Sequence, residues 1–80
     1  MFTIEHEFDA TVITLIDQGA APLCEDVKIQ LFSEQVIIEQ YNSQTDQMNK
    51  VILSPEQIND LAASLNLPEG AYQLKPYKDP

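Results

Sequence analysis

The sequence has no arginine and no tryptophan, and only one cysteine, one histidine and two glycines in 80 residues. A single cysteine excludes an intramolecular disulfide, and a single histidine leaves no His pair for catalysis or metal binding. Without arginine there is no bidentate phosphate contact, and no glycine-rich phosphate loop or nucleophile motif is present. We therefore expect a protein that is not an enzyme and that uses no cofactor or metal.

Long hydrophobic runs are also absent. No window approaches the ~18 apolar residues of a membrane span, and Glu5, Glu7 and Asp9 interrupt the N-terminal stretch that a signal peptide would need. We expect a cytoplasmic protein. Eighty residues fit one domain with a modest core, and an apolar content of 44% indicates that the chain folds.

Negative charge is the most unusual feature of the composition. Thirteen Asp and Glu residues stand against four basic residues, which gives a formal net charge of -9. A field of this sign repels nucleic acid and anionic membranes. It attracts cationic protein surfaces, including those of nucleic-acid-binding proteins.

The clearest local signal predicts a helix over about 55–65. Ser54 is a preferred N-cap, Pro55 suits the first helical position, and Gln57 completes a capping box with Ser54. Asn66 suits a left-handed conformation at the C-terminal end. An apolar stripe with helical spacing runs between these ends, at Ile58, Leu61, Ala62 and Leu65.

Alternating apolar and polar residues predict strands on either side of this helix: 2–8, 11–16, 27–32, 35–41, 48–53 and a short sixth strand at 71–74. The polar segment 42–47 is typical of a turn. In the loop 17–25, Leu23 and Cys24 are expected to point inward. The fold class predicted for 1–74 is one α+β domain, an antiparallel sheet of four to six strands in hairpins or a meander with the helix packed on one face, followed by a flexible tail at 75–80.

The residues that could carry chemistry have plainer structural interpretations. His6 is on the apolar side of the first strand, where a hydrogen-bonded or edge histidine is expected. Cys24 is expected to be a small, inert, buried residue. Glu5 and Glu7 are one strand period apart, about 7 Å, but acid–base catalysis would need a cleft that desolvates one of them. The oxygen-rich loop 42–46 lacks the spacing of a calcium site.

Two functional hypotheses follow. The first is a small acidic protein-interaction module that docks on a basic surface of a partner, in its most specific form as a nucleic-acid mimic or inhibitor of the phage type. Its expected partner-binding residues are the exposed carboxylates Glu5, Glu7, Glu39, Glu56 and Asp60. The alternative is a homodimer or other homo-oligomeric accessory domain, in which acidity serves only solubility. It would associate through an apolar sheet face carrying Phe32, Ile37, Tyr41 and Ile52.

Overall fold

The computed structural model describes residues 1–66, which form a five-stranded antiparallel sheet followed by one helix. The predicted α+β class is confirmed, as are the strand number and the helix bounds. The elements in chain order are β1 (Phe2–His6), β2 (Thr11–Leu15), β3 (Val27–Leu31), β4 (Val36–Asn42), β5 (Gln47–Leu53) and α1 (Pro55–Leu65). The predicted strand at 71–74 and the predicted tail at 75–80 lie outside the described residues.

Each strand pairs with its neighbour in sequence, so the spatial order is β1-β2-β3-β4-β5. Residues directly opposite each other in antiparallel strands project to the same face, and the register therefore sorts the strand residues into two sets. The set that we call the charged face includes Glu5, Val12, Lys28, Gln30, Ile37, Glu39, Tyr41, Met48, Lys50 and Ile52. The set that we call the uncharged face has no Asp, Glu or Lys at any strand position, and its apolar members are Phe2, Ile4, Ile13, Leu15, Val27, Ile29, Leu31, Val36, Ile38, Val51 and Leu53.

Local chemistry explains the hairpin between β4 and β5. The side-chain oxygen of Asn42 accepts the backbone N–H of Gln44 at 3.0 Å, which starts the turn. Asp46 then has a φ of 54°, in the left-handed region that Asp tolerates better than most residues. The predicted turn is therefore present, and its ends pair as the last and first residues of the two strands.

The capping box of α1 is also present as predicted. The hydroxyl of Ser54 accepts the backbone N–H of Gln57 at 3.1 Å, and the Gln57 side chain accepts the backbone N–H of Ser54 at 2.9 Å. Two N–H groups that the helix itself cannot satisfy are thus bonded. This fixes the start of α1 directly after β5.

Full burial is confined to one corner of the sheet. Val36 is 1% exposed and is the only buried residue among residues 1–66. It lies beside Leu53 on the uncharged face, whereas Ile52 on the charged face is 59% exposed. Because α1 begins right after β5 and contacts that strand, we place it over the Val36 corner of the uncharged face. Only its first turns are covered, since Ile58 is half-buried.

The connection between β2 and β3 corrects one prediction. Leu23 and Cys24 were expected to point inward, but both are exposed. The cause is Asp17, whose two carboxylate oxygens accept the backbone N–H groups of Gly19 and Cys24, each at 2.9 Å. The loop folds back on its own beginning, and at its end the Glu25 carbonyl accepts a hydrogen bond from the Gln40 side chain of β4 at 3.1 Å.

The C-terminal ends of β1 and α1 also differ from expectation. The first strand ends at His6, because Glu7 donates its backbone N–H to the Ala10 carbonyl at 2.8 Å and closes a turn that leaves Phe8 fully exposed. Asn66 is not left-handed; its φ of -95° and ψ of -3° let its N–H bond the Ala63 carbonyl. A tightened last turn satisfies that carbonyl without a positive φ.

Candidate protein-interaction surfaces

The charged face holds both lysines of the described chain, on either side of one carboxylate. Lys28 is directly opposite Glu39 in the pairing of β3 with β4, and Lys50 is directly opposite Glu39 in the pairing of β4 with β5. Opposite charges at such cross-strand positions attract each other. An open cleft of about 360 Å³ lies along this row, lined in part by Glu25, Lys28 and Glu39. Glu39 therefore contributes little net negative field.

The other four predicted carboxylates lie at two different edges. Glu5 is in β1 and Glu7 follows it, whereas Glu56 and Asp60 are in α1, next to β5. The edges are four strand spacings apart, about 19 Å. All four are exposed, but the sheet separates the pair Glu5 and Glu7 from the pair Glu56 and Asp60, and Glu39 lies on a third strand, β4.

Several carboxylates lie in turns at one end of the sheet. The β1–β2 turn, the β3–β4 turn and the first turn of α1 all lie at this end, because consecutive strands run in opposite directions. They carry four exposed acidic residues, which we call the acidic rim: Glu7, Asp9, Glu34 and Glu56. Within residues 1–66 none of these side chains has a hydrogen-bond or ion-pair partner. Sequence reasoning missed Asp9 and Glu34, although alternate turns of a meander must share an end.

Two carboxylates at the opposite end, those of Asp17 and Asp46, accept hydrogen bonds within the fold. Hydrogen bonds from the backbone N–H groups of Cys24 and Gly19 hold the pKa of Asp17 below its ordinary value. Asp46 accepts the Tyr41 hydroxyl at 2.7 Å, and this bond raises the pKa of Tyr41. The two ends thus differ, since Asp17 and Asp46 have hydrogen-bond partners in the described chain and none of the four rim carboxylates has one.

His6 and Cys24, the one histidine and the one cysteine of the sequence, are far apart. His6 lies at the acidic end, where its Nδ1 is 3.2 Å from the Thr11 hydroxyl oxygen, as expected for a hydrogen-bonded edge histidine. Cys24 lies at the other end, a strand length of roughly 16 Å away. Residues 1–66 contain no group of three or more His, Cys, Asp or Glu side chains suited to a metal ion. In the same residues no helix has the length and apolar character to cross a membrane.

Residues 1–66 thus form a small α+β domain whose distinctive features are its acidic rim and the two unlike faces of its sheet. The chain belongs to the family described as domain of unknown function DUF8831, whose family model matches residues 3–64. The match covers the five strands except Phe2, and α1 except Leu65. No curated protein and no solved structure matches the chain.

Proposed function

We propose that this protein is a protein-interaction module that docks, through its acidic rim, on a cationic surface of a partner protein. The observation that carries the proposal is the placement of the lysines. Lys28 and Lys50 both flank Glu39 on the charged face, so no described lysine lies among the rim carboxylates. A rim of one sign at the end of a rigid sheet presents a field that a basic protein surface complements.

The finer form of the proposal is that the rim imitates nucleic-acid phosphates and inhibits a nucleic-acid-binding partner. Such a partner would be captured by the rim and released by competing DNA or RNA. A cationic partner with no nucleic-acid site would be released by salt but not by nucleic acid at equal ionic strength. The competition experiment therefore separates the two forms.

The test is capture on the immobilised protein with two matched double variants. E7Q/E34Q removes two rim charges, and E25Q/E39Q removes two charges from the cleft beside Lys28. We expect a partner that wild-type protein captures at low salt and releases at high salt, that E7Q/E34Q fails to capture, and that E25Q/E39Q retains. Equal loss with both variants would point to net charge alone, and a partner that resists high salt would contradict docking led by charge.

A further inference from the structure

Much of the apolar surface on one side of the sheet has no cover in residues 1–66. Four side chains of the uncharged face are exposed, namely Phe2, Ile4, Leu15 and Val51. The apolar stripe of α1 is also uncovered within these residues, since Leu61 and Leu65 are exposed. A domain normally buries such a face against a second layer, and monomers seldom leave a contiguous apolar patch of more than a few hundred Å² in water.

Charge distribution indicates what the second layer is. Every carboxylate and lysine of the strands lies on the charged face, although the chain as a whole has a net charge of -9. In a two-fold dimer the patch meets a copy of itself, so a patch rich in carboxylates would bring like charges close together, and a patch without charges would not. A cationic partner would favour carboxylates within the contact, whereas a copy of this acidic chain requires that they be excluded. We infer that the uncharged face and the exposed stripe of α1 form the interface of a homodimer.

The geometry accommodates a second sheet. Two sheets pack face to face about 10 Å apart, with the side chains of their inner faces interdigitating. A helix is also about 10 Å in diameter, so α1 can occupy the same layer as the partner sheet and flank it. The two turns of the acidic rim that carry Glu7, Asp9 and Glu34 lie at the end of the sheet and outside this layer, and only Glu56 belongs to α1. The dimer is therefore independent of the docking proposed above.

The size of the face sets the expected affinity. Five strands about 4.8 Å apart and about five residues long give a face of roughly 24 by 17 Å, or roughly 400 Å² in projection. Stable interfaces bury about 800 Å² of accessible surface per partner, so the dimer needs most of the face, including the stripe of α1. We expect a reversible equilibrium that a concentration series resolves.

The test is sedimentation of the full chain over a wide concentration range, with one substitution made on each face. Ile4→Glu places a charge on the uncharged face, where Ile4 is 50% exposed; Ile52→Glu places the same charge on the charged face at a similarly exposed isoleucine. We expect Ile4→Glu to raise the dimer dissociation constant on the order of 100-fold, because each partner then buries an unpaired charge in an apolar contact. With Ile52→Glu the dimer dissociation constant should stay within a few-fold of the wild-type value.

The salt dependence of dimerisation is a second test, and its expected direction is opposite to that of rim docking. Salt screens repulsion between two chains of net charge -9, so the dimer should tighten as salt rises, whereas rim docking should weaken. If Ile4→Glu fails to fold, the wild-type Tm must still rise with protein concentration. A wild-type chain that sediments as a monomer at every concentration would overturn the inference, as would equal dissociation by both substitutions.

Discussion

The corner formed by β4, β5 and the start of α1 differs sharply from the edge formed by β1 and β2. In the corner, β4 and β5 have seven residues each and Val36 is buried next to α1. Side-chain hydrogen bonds close both the turn at the far end of these strands and the start of the helix. At the edge the strands have five residues, and every residue of β1 is exposed. The corner combines local signals with tertiary burial, while the edge has an apolar pattern that residues 1–66 leave uncovered.

This difference teaches that hydrophobic patterning and burial are separate properties. β1 alternates apolar and polar residues as well as β4 does, and its phase is the predicted one, with Phe2, Ile4 and His6 on one face. Patterning decides which face a side chain joins, but burial needs a second layer over that face. At the corner α1 provides this layer. At the edge we infer that the second chain of the homodimer provides it.

The largest expected effect comes from truncating valine at the corner. Val36→Ala removes two methyl groups from the only fully buried side chain of the described chain and should lower the free energy of unfolding by about 2 kcal/mol. The matched control is Val51→Ala, on the same face but 53% exposed. Val51→Ala should lower the free energy of unfolding by less than about 1 kcal/mol in dilute solution.

Urea denaturation followed by circular dichroism measures both variants. Repeating it at high protein concentration sharpens the comparison, because a dimer that covers the uncharged face would make Val51→Ala more damaging there. Equal effects of the two substitutions in dilute solution would show that the corner is not the better packed region.

A smaller effect is expected from removing the cap that joins the corner to α1. Ser54→Ala leaves the backbone N–H of Gln57 without its acceptor and should lower stability by about 1 kcal/mol. Ser64 is the control, since its hydroxyl bonds the Leu61 carbonyl within the helix and alanine is a better helix former. Ser64→Ala should change the urea midpoint little or raise it. A cap variant as stable as wild type would mean that packing alone holds α1 in place.

The predictable parts of the fold are those specified by neighbouring residues. The capping box and the turn begun by Asn42 involve residues within three positions of each other, and both could be read from the sequence. The loop after β2 could not, because Asp17 bonds Cys24 across seven positions, and no local propensity encodes that contact. Its consequence, an exposed Cys24, was missed for the same reason.

The candidate surfaces were predictable only in part. The hydrophobic pattern of β1 and α1 predicts that four carboxylates are exposed, those of Glu5, Glu7, Glu56 and Asp60. Their separation across the sheet depends on strand order, which the sequence leaves open. The alternative hypothesis placed Ile37, Tyr41 and Ile52 together, and the register does put them on one face. That face also carries Glu5, Lys28, Glu39 and Lys50, so the larger apolar surface is the opposite one.

The smallest expected effect concerns the loop that ties the edge to the rest of the sheet. Because hydrogen bonds to Asp17 lower its pKa in the folded protein, the carboxylate stabilises the fold above the unfolded pKa, near the ordinary value of 3.8, and this stabilisation is lost as the pH falls through the lower folded pKa. Asp17→Asn keeps one acceptor oxygen but cannot accept from both Gly19 and Cys24. The variant should be less stable than wild type near neutral pH.

Urea denaturation at about pH 6 and about pH 2 tests this linkage, with Asp9→Asn as the control for loss of one exposed negative charge. The stability difference between wild type and Asp17→Asn should narrow as the pH falls toward about 2, because a growing fraction of the wild-type carboxyl group is protonated. Asp9→Asn should show no such loss near neutral pH, since removing one charge from a chain of net charge -9 relieves repulsion. A pH-independent deficit in Asp17→Asn would mean that the shape of the side chain, and not its charge, holds this loop.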